Sequence, residues 1–341
     1  MTLPRLSTVQ SADSHRRTAT TVNELITKTQ STAVSVGLTP EQYGAKGDGA
    51  TNDTVAFQKL AAAINTAGGG LITLRPGATY IVGLQTLVND GSWMFRGQDI
   101  LYIHDCPRGV VIRGNGAAIK FADGLKFGTF NSSGVSTTHS LPYSGGDASA
   151  PTGDHPGIIS LVSNSGPIRV TDLDLDGNSA NIDLGGNFGD SGYQLPGDGL
   201  YLYYNTGGVI FENVNPRNFP RDGAIIAAVS QSGETGDDTP RFPHTFINCI
   251  CTANGRNTVS YVGGRGTVFK SCNFMDAAQG TIVSAPASNF DAESEQGSIR
   301  DLTFEDCIFS NGFNTSFVCD SQNANGLRFK RCVLDNPANW A

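Results

Sequence analysis

The tetrapeptide Phe246-Ile-Asn-Cys249 recurs as Phe269-Lys-Ser-Cys272, Phe304-Glu-Asp-Cys307 and Phe329-Lys-Arg-Cys332. An earlier copy, Phe211-Glu-Asn-Val214, has valine in place of cysteine. Successive copies end 35, 23, 35 and 25 residues apart. Self-similarity at a period of roughly 20 to 50 residues is typical of solenoids. The repeat therefore predicts a stack of coils, with one copy in each coil.

Each copy places two apolar residues three positions apart, with two polar residues between them. In a straight strand such residues face opposite sides, so both can face inward only if the chain bends between them. Asn213, Asn248 and Asp306 occupy the bend, and Asn and Asp tolerate left-handed backbone angles. The pattern predicts an all-β chain, a parallel β-helix whose coils bury columns of like residues.

The composition is typical of a turn-rich β protein, with 42 glycines among 341 residues and only 16% charged residues. A net charge of −8 disfavours a nucleic-acid partner, because that binding needs basic surface to neutralise phosphates. Seven cysteines are an odd number, so we expect packing thiols instead of a disulfide framework. No run approaches about 18 apolar residues, so no membrane span is expected, and the N-terminus lacks a secretory signal.

A helix is predicted before the first coil, inside residues 38–83. Its apolar residues recur on one helical face: Phe57, Leu60, Ala61 and Ile64. Asn52 or Asp53 can cap its start, and Gly68 ends it. Such a helix would cover the open end of a solenoid, which otherwise exposes its core and its strand edges.

The stretch YGAKGDGATNDTVAFQKLAAAI…GGGLITLRPGATYIVG, which lies within residues 38–83, resembles the N-terminal motif of the pectate-lyase-like right-handed β-helix superfamily. That superfamily includes polygalacturonases, polysaccharide lyases, epimerases and phage tailspike depolymerases. With the coils behind it, the resemblance covers residues 38–341. It implies a right-handed parallel β-helix with a short N-terminal capping helix, a polysaccharide substrate and, as in tailspikes, a homotrimer. No cofactor or metal is expected.

Residues 1–37 form a separate segment, rich in Ser and Thr, which we interpret as an N-terminal arm. Its sequence resembles the short attachment arms of phage tail proteins. That resemblance implies phage tail components as partners and a location in the virion tail. A disordered leader is the alternative that composition alone leaves open.

The stretch Asn289-Phe-Asp-Ala-Glu-Ser-Glu295 holds the candidate catalytic residues. Aligned on the coils, Phe290 takes the inward place of Leu200, and Ala292 takes that of Leu202. Alternation then points the two acidic residues at 291 and 293 outward together, about 6–7 Å apart between their α-carbons.

Asp291 and Glu293 are thus a candidate acid/base pair, because glycoside hydrolysis uses two carboxyl groups. The stretch resembles the Gly-Ile-Asp-Ile-Glu-Pro strand of many β-helix proteins with predicted carbohydrate activity. Only the two acids carry over: Asn289 replaces the glycine, Ser294 replaces the proline, and Phe and Ala replace the isoleucines. A solvated strand face is the alternative interpretation.

Tyr201 and Tyr203 are candidate substrate-binding residues. Alternation places them in register with Asp291 and Glu293, two or three coils away. Exposed aromatic rings beside acids suit stacking against sugar rings. The alternative is a tyrosine ladder packed under a long Gly- and Ser-rich loop, residues 122–157.

A polar corner precedes the inward strand residues of three coils: Asp198, Arg221 with Asp222, and Arg256 with Asn257. The Asp and Asn residues shape the turn or contact substrate. The two arginines are less easily explained as turn residues. They are expected to pair with the catalytic carboxyls and lower a pKa, or to hold a carboxyl group of the substrate.

Together these patterns predict a glycoside hydrolase that uses Asp291 and Glu293, assisted by Arg221 or Arg256. A lyase acting on a uronate glycan, with an Arg, Lys or Tyr base, is a second possibility. A receptor-binding spike that only adheres to glycans is a third. A match to a calcium loop, from Asp172 to Asp183, is opposed by the strand-like alternation of its leucines.

Overall fold

The structure is a computed structural model. It describes residues 37–89, 93–128, 130–136, 157–185, 197–228, 244–280, 282–284, 286–294, 298–319 and 324–335. The predicted arm lies outside these residues except for Gly37. Most of the long loop 122–157 also lies outside them.

Within the described residues, the chain forms helix α1 (Thr54–Ala67), two short 3₁₀ helices (Pro40–Tyr43 and Ser179–Asn181) and 27 strands. The strands of the first coils are β1 Gly37–Leu38, β2 Asp48–Asn52, β3 Gly70–Thr73, β4 Thr79–Val82, β5 Gln85–Asn89, β6 Trp93–Gly97, β7 Leu101–His104, β8 Val110–Phe121, β9 Lys126–Gly128, β10 Ile159–Val162, β11 Ile168–Asp176 and β12 Asp183–Gly185. The strands of the later coils are β13 Leu200–Tyr203, β14 Val209–Arg217, β15 Ala224–Ala228, β16 Thr245–Ile247, β17 Ile250–Thr252, β18 Val259–Arg265, β19 Val268–Lys270, β20 Asn273–Met275, β21 Phe290–Ala292, β22 Ile299–Arg300, β23 Thr303–Glu305, β24 Ile308–Ser310, β25 Ala324–Asn325, β26 Arg328–Lys330 and β27 Val333–Leu334.

The coils form a right-handed parallel β-helix, as the sequence predicts. One sheet, which we name the site sheet, runs in the order β7, β10, β13, β15, β18, β22 and β25, with β21 also beside β18. A second sheet of 15 strands supplies the other two faces of the coil. Pairing between successive coils is parallel in both sheets, so the chain advances by one strand spacing, about 4.8 Å, per coil.

The predicted bend is confirmed at Asn213, Asn248 and Asp306, which have φ values of 55°, 52° and 56°. Before the bend, the phenylalanines of the repeat stack, with Phe211–Phe246, Phe246–Phe269 and Phe269–Phe304 ring centroids 5.1, 4.6 and 5.2 Å apart. Beyond the bend, the cysteines of the repeat also turn inward. All seven cysteines are free, and five of them are buried. The repeat is therefore core, and its role is to set the register of the coils.

Helix α1 caps the first coil, as expected. Its predicted apolar face is buried, and Gly68 ends it in the left-handed conformation at φ 69°. The carboxylate of Asp53 accepts hydrogen bonds from the backbone N–H groups of Lys46 and Gly47, while Asn52 accepts from the first helical residue. In the described part of the chain, no helix is long and apolar enough to cross a membrane.

The edge of the site sheet at β7 is covered by a side chain of this helix. Asn65 donates to the carbonyl oxygen of Tyr102 at 2.9 Å and accepts from the backbone N–H of His104 at 3.1 Å. These are the bonds that a neighbouring strand would otherwise supply. The amide thus prevents the first strand of the sheet from presenting open backbone groups.

An antiparallel hairpin, β5–β6, projects beside the cap and was not predicted. Its Phe95 packs edge-on against Phe130 at 5.0 Å, and the ammonium group of Lys126 lies 5.2 Å from the Phe95 ring. After the hairpin the chain returns to β7. The hairpin therefore lies next to the N-terminal end of the site sheet.

Candidate functional site

The outward face of the site sheet carries the candidate residues. Phe290 follows the inward column of Leu200, and Ala292 follows that of Leu202, as predicted. Between these two inward columns runs one outward column of in-register residues: Tyr102, Ser160, Tyr201, Ile225, Ser260 and Asp291. Tyr201 and Asp291 therefore lie three strand spacings apart, about 14 Å between their α-carbons.

Asp291 faces away from the core, yet only 2% of it is exposed. Its Oδ2 accepts a hydrogen bond from Nδ2 of Asn257 at 3.0 Å. Its buried Oδ1 has no hydrogen-bond partner in the described part of the chain. Burial raises the pKa of Asp291 to about 7, the negative charge of Glu293 adds to this rise, and the positive charge of Arg256 opposes it. Asp291 therefore holds its proton near neutral pH far more readily than an ordinary aspartate.

A ladder of side chains shapes the corner of three coils. Asp198 accepts from the backbone N–H of Asp222 at 3.1 Å, and Asp222 accepts from the backbone N–H of Asn257 at 3.1 Å. Asn257 in turn accepts from the backbone N–H of Ser288 at 3.0 Å. Each side chain thus satisfies the backbone of the next coil, which supports the turn-shaping interpretation. All three ladder residues are fully buried, so none contacts a substrate in this conformation.

The two arginines extend this ladder and do not hydrogen-bond to Asp291. Arg221 donates to Asp198 through Nε at 2.9 Å and Nη2 at 2.5 Å. Arg256 donates to Asp222 through Nε at 2.9 Å and through Nη2. The expected direct pairing with Asp291 is therefore wrong for Arg256, which turns toward Asp222 in the preceding coil, whereas Asp291 lies in the following coil. Its charge still acts on Asp291, but burial outweighs it, so the pKa of Asp291 is raised and not lowered.

The pairing between Arg256 and Asp222 fixes the charge of both groups. Burial alone would raise the pKa of Asp222, but the charge and hydrogen bonds of Arg256 lower it below the ordinary value. Burial alone would lower the pKa of Arg256, but the charge of Asp222 raises it. The pair is therefore a buried ion pair at all ordinary pH values.

Ser260 joins the ladder to Asp291 and was missed by sequence reasoning. Its hydroxyl donates to Asp222 at 2.8 Å and accepts from Arg256 and Asn257, each at 3.0 Å. A continuous network thus runs from the ion pair through Ser260 and Asn257 to the carboxyl of Asp291. The strand register could have identified it, because Ser260 is the outward neighbour of Asp291 in the adjoining coil.

Glu293 follows the end of β21 and is half-buried, more accessible than Asp291. Its backbone N–H donates to the carbonyl oxygen of Tyr261 at 3.1 Å, which continues the sheet by one bond. Its charge contributes to the raised pKa of Asp291. The structure therefore brings the two predicted acids together in electrostatic contact, one buried and one accessible.

Tyr201 and Tyr203 form a half-buried aromatic pair. Their rings stack at 5.7 Å with an angle of 12°, and the Tyr204 hydroxyl donates to the Tyr203 hydroxyl at 3.1 Å. The column of Tyr203 differs from the prediction. An extra residue, Val262, interrupts it between adjacent coils, so Tyr203 is not in ladder register with Glu293.

The calcium alternative does not fit the structure. The candidate loop is strand β11, in which Leu173 and Leu175 are buried. Asp172 and Asp174 accept hydrogen bonds from the amides of Asn213 and Asn215 in the next coil. Across the described residues, no group of three or more His, Cys, Asp or Glu side chains is placed to hold a metal ion.

Known proteins resemble this chain in part. No family model matches it. It is 51% identical, over 43 residues, to "Depolymerase 1, capsule KN3-specific" of Klebsiella phage KN3-1; these residues are 13% of this chain and 5% of that relative. The resemblance to phage depolymerases expected from the sequence is confirmed over this stretch.

Two solved structures of phage proteins are similar to this chain at low sequence identity. ORF18 of Geobacillus virus E2 has 16% identity and a TM-score of 0.43, covering 97% of this chain and 57% of that one. Tailspike protein gp49 from Acinetobacter baumannii bacteriophage Fri1, a capsular polysaccharide depolymerase, has 16% identity and a TM-score of 0.41, covering 89% and 48%. The chain thus spans about half the length of these two phage proteins and a small part of the KN3-1 relative.

Proposed function

We propose that the chain binds and cleaves a polysaccharide by hydrolysis, with Asp291 as general acid and Glu293 as base or nucleophile. The observation that carries this proposal is the raised pKa of Asp291, about 7, beside a second and more accessible carboxyl group. Paired carboxyls whose environments differ divide acid and base roles in this way. At neutral pH Asp291 retains a proton that it can give to the leaving oxygen.

The polar ladder acts as support for this acid. Asn257 holds Oδ2 of Asp291 and leaves Oδ1 as the oxygen available for the glycosidic bond. Because Asp291 is only 2% exposed, a sugar reaches it only after neighbouring groups move aside. Arg256 assists through its charge across this network, not as a group that touches the substrate.

A lyase mechanism is less well supported. It needs a neutral base, and the ion pair with Asp222 keeps Arg256 protonated. The half-buried tyrosines of this face, which include Tyr201 and Tyr203, remain as candidate bases. The burial of Asp291 specifically favours a different second candidate, a spike that adheres to glycans through the tyrosines without cleaving them.

Incubation with a panel of capsular and plant polysaccharides tests the proposal. Wild-type protein should release shorter products, whereas Asp291→Asn and Glu293→Gln should bind glycan without shortening it. Asp174→Asn, on another face of the coil, is the matched control and should keep full activity. Full activity in both amide variants would remove the site assignment. Products that absorb in the near ultraviolet would indicate a lyase, and binding with no change in polymer mass would indicate an adhesive spike.

The remaining proposals concern assembly. We propose a homotrimer located in a phage tail, with residues 1–37 as the segment that attaches to other tail components. The phage origin of the KN3-1 depolymerase supports the phage location, and the trimer and the attachment role are what the resemblance of the sequence to tailspikes implies. Size-exclusion chromatography with light scattering should give three times the chain mass, and a well-behaved monomer would count against the trimer. Removal of residues 1–37 should leave glycan cleavage intact while abolishing incorporation into virions.

A further inference from the structure

A groove of about 910 Å³ lies between helix α1, the segment that follows the β5–β6 hairpin, and strand β7. This volume is within the usual range of small-molecule sites, roughly 300–1,000 Å³. Its walls include Gln58 and Ala62 of the helix, Arg96 of strand β6 in the hairpin and Asp99 beyond it. None of the candidate catalytic residues lines it, so it is a separate feature of the surface.

The floor of the groove is aromatic. Tyr102 and His104 project from β7 on the outward side, with ring centroids 4.9 Å apart and an angle of 30°. Both side chains are half-buried, while the residues between and before them face the core. Two rings at this distance and tilt pack partly face to face, so the floor presents aromatic edges together with a phenol hydroxyl and an imidazole.

The groove is preformed by hydrogen bonds on both sides. Asn65 fixes the backbone of Tyr102 and His104, as described above. Gln58 donates to the Gln98 side chain at 3.2 Å and to the carbonyl oxygen of Asp99 at 2.8 Å, which ties the segment after the hairpin to the helix. A ligand therefore does not have to order this site on binding.

The charges around the groove identify the class of ligand. One guanidinium, from Arg96, and one carboxylate, from Asp99, line it together with amides and rings. A phosphate-rich ligand would need several cations, and the net charge of the chain is −8. An uncharged or weakly charged polyhydroxyl compound fits instead, because its C–H groups can pack against the aromatic side chains and its hydroxyls can bond the amides and charged groups.

The position of the groove connects it to the tyrosine pair. Tyr102 is in register with Ser160, which is in register with Tyr201. The α-carbons of the two tyrosines are therefore about 10 Å apart along the outward column. A glycan chain lying on Tyr201 and continuing toward the N-terminal end of the solenoid would enter the groove.

We propose that this groove, walled by α1 and floored by Tyr102 and His104, is a second glycan-binding site that holds a segment of the polysaccharide away from the point of cleavage. This inference rests on the proposed polysaccharide function. It assigns the groove a role in holding long chains. Short oligosaccharides that reach only the acid pair would not use it.

The test uses the full chain and the polysaccharide that wild-type protein binds best from the panel, together with the short oligosaccharides prepared from it by mild acid. Binding is measured in the Glu293→Gln background, so that cleavage does not interfere. Tyr102→Ala should weaken polymer binding by about three- to tenfold and leave short-oligosaccharide binding unchanged. Tyr102→Phe, which keeps the ring, should bind nearly as wild type does.

A variant that fills the groove provides a second, independent test if Tyr102→Ala folds poorly. Ala62 is exposed on the groove wall, and Ala67 is exposed on the same helix outside it. Ala62→Trp should therefore weaken polymer binding, whereas the matched Ala67→Trp should not. Unchanged polymer binding in both Tyr102→Ala and Ala62→Trp would overturn the proposed second site, whether or not the wild-type protein cleaves the polymer.

Failure of the second site and failure of the proposed function are distinguishable. If wild-type protein cleaves the polymer but neither groove variant changes its binding, the proposal of a second site is wrong and the proposal of hydrolysis is retained. If wild-type protein binds without cleaving and the groove variants weaken binding, the second site stands and hydrolysis is wrong. If no polysaccharide in the panel binds, both proposals are wrong.

Discussion

The buried carboxyl group of Asp291 makes the stability of the folded chain depend on pH in a way that one substitution removes. Above pH 3.8 the unfolded chain ionises this group, whereas the folded chain keeps it protonated up to about pH 7. The folded state thus holds more protons between these values, so the free energy of unfolding falls as the pH rises. From 3.8 to about 7, at 1.36 kcal/mol per pH unit, the loss is about 4 kcal/mol.

Asp291→Asn removes the titration and keeps the acceptor that Asn257 uses. We expect the stability of wild-type protein relative to this variant to fall by about 4 kcal/mol between pH 4 and pH 8, with most of the change complete by pH 7. Equilibrium urea unfolding, followed by circular dichroism at several pH values, measures the difference. Comparing the two proteins at each pH cancels the contribution of titrating groups that do not interact with Asp291.

Asp306→Asn is the matched control. The substitution is the same, and asparagine tolerates the left-handed backbone at this bend. Hydrogen bonds from Arg331 lower the pKa of Asp306, so it is ionised in both states from pH 5 to pH 8. The difference between wild type and Asp306→Asn should stay flat over that window. If Asp291→Asn gives an equally flat difference, the carboxyl is not held protonated by burial and the reasoning about the general acid is wrong.

Four further substitutions test the ladder and the buried interior by the same unfolding measurement. Arg256→Met should cost about 3–5 kcal/mol because it leaves Asp222 charged and buried without a cation, and a loss below about 1 kcal/mol would contradict the buried ion pair. Phe269→Ala should cost about 3–5 kcal/mol of stability, because its ring stacks within the core. Phe329→Ala should cost less, because that side chain is 39% exposed. Equal losses in the two variants would contradict the packing argument. Burial lowers the pKa of His244 from 6.5 to about 4. Between these two pH values the unfolded chain binds a proton at His244 and the folded chain does not. The free energy of unfolding should therefore fall by about 3 kcal/mol as the pH drops from 6.5 to 4. His244→Gln should abolish that loss of stability. If the variant loses as much stability in acid as the wild-type protein does, the role of His244 is refuted.

Much of the fold follows from local pattern. The bend at Asn248, the inward turn of its cysteine and the helical face around Phe57 each depend on a few neighbouring residues, and each is confirmed. The outward direction of Asp291 also follows, because alternation along a strand is a local rule. These features needed no knowledge of what lies above or below a coil.

The electrostatics of the site depend on neighbouring coils, and they could not be predicted. Alternation gives the face on which Asp291 lies but not what covers that face, so its burial was unforeseen. Arg256 pairs with Asp222 because their coils are adjacent, and sequence distance does not reveal this at variable coil lengths. Val262 shifts a column by one residue, and no local signal distinguishes that extra residue from its strand neighbours.

The phenylalanine column has a consequence for how such a chain can change. Phe211, Phe246, Phe269 and Phe304 remain in exact backbone register although the intervals between them are 35, 23 and 35 residues. The 12 additional residues of the longer intervals therefore leave the register of the phenylalanines unchanged. The stacked strands and the segments that connect them are therefore separable parts of the same coil. A connecting segment can lengthen, shorten or be exchanged while the acid pair, the ladder and the aromatic floor keep their spacing, so the surface of the chain can change without redesign of the core.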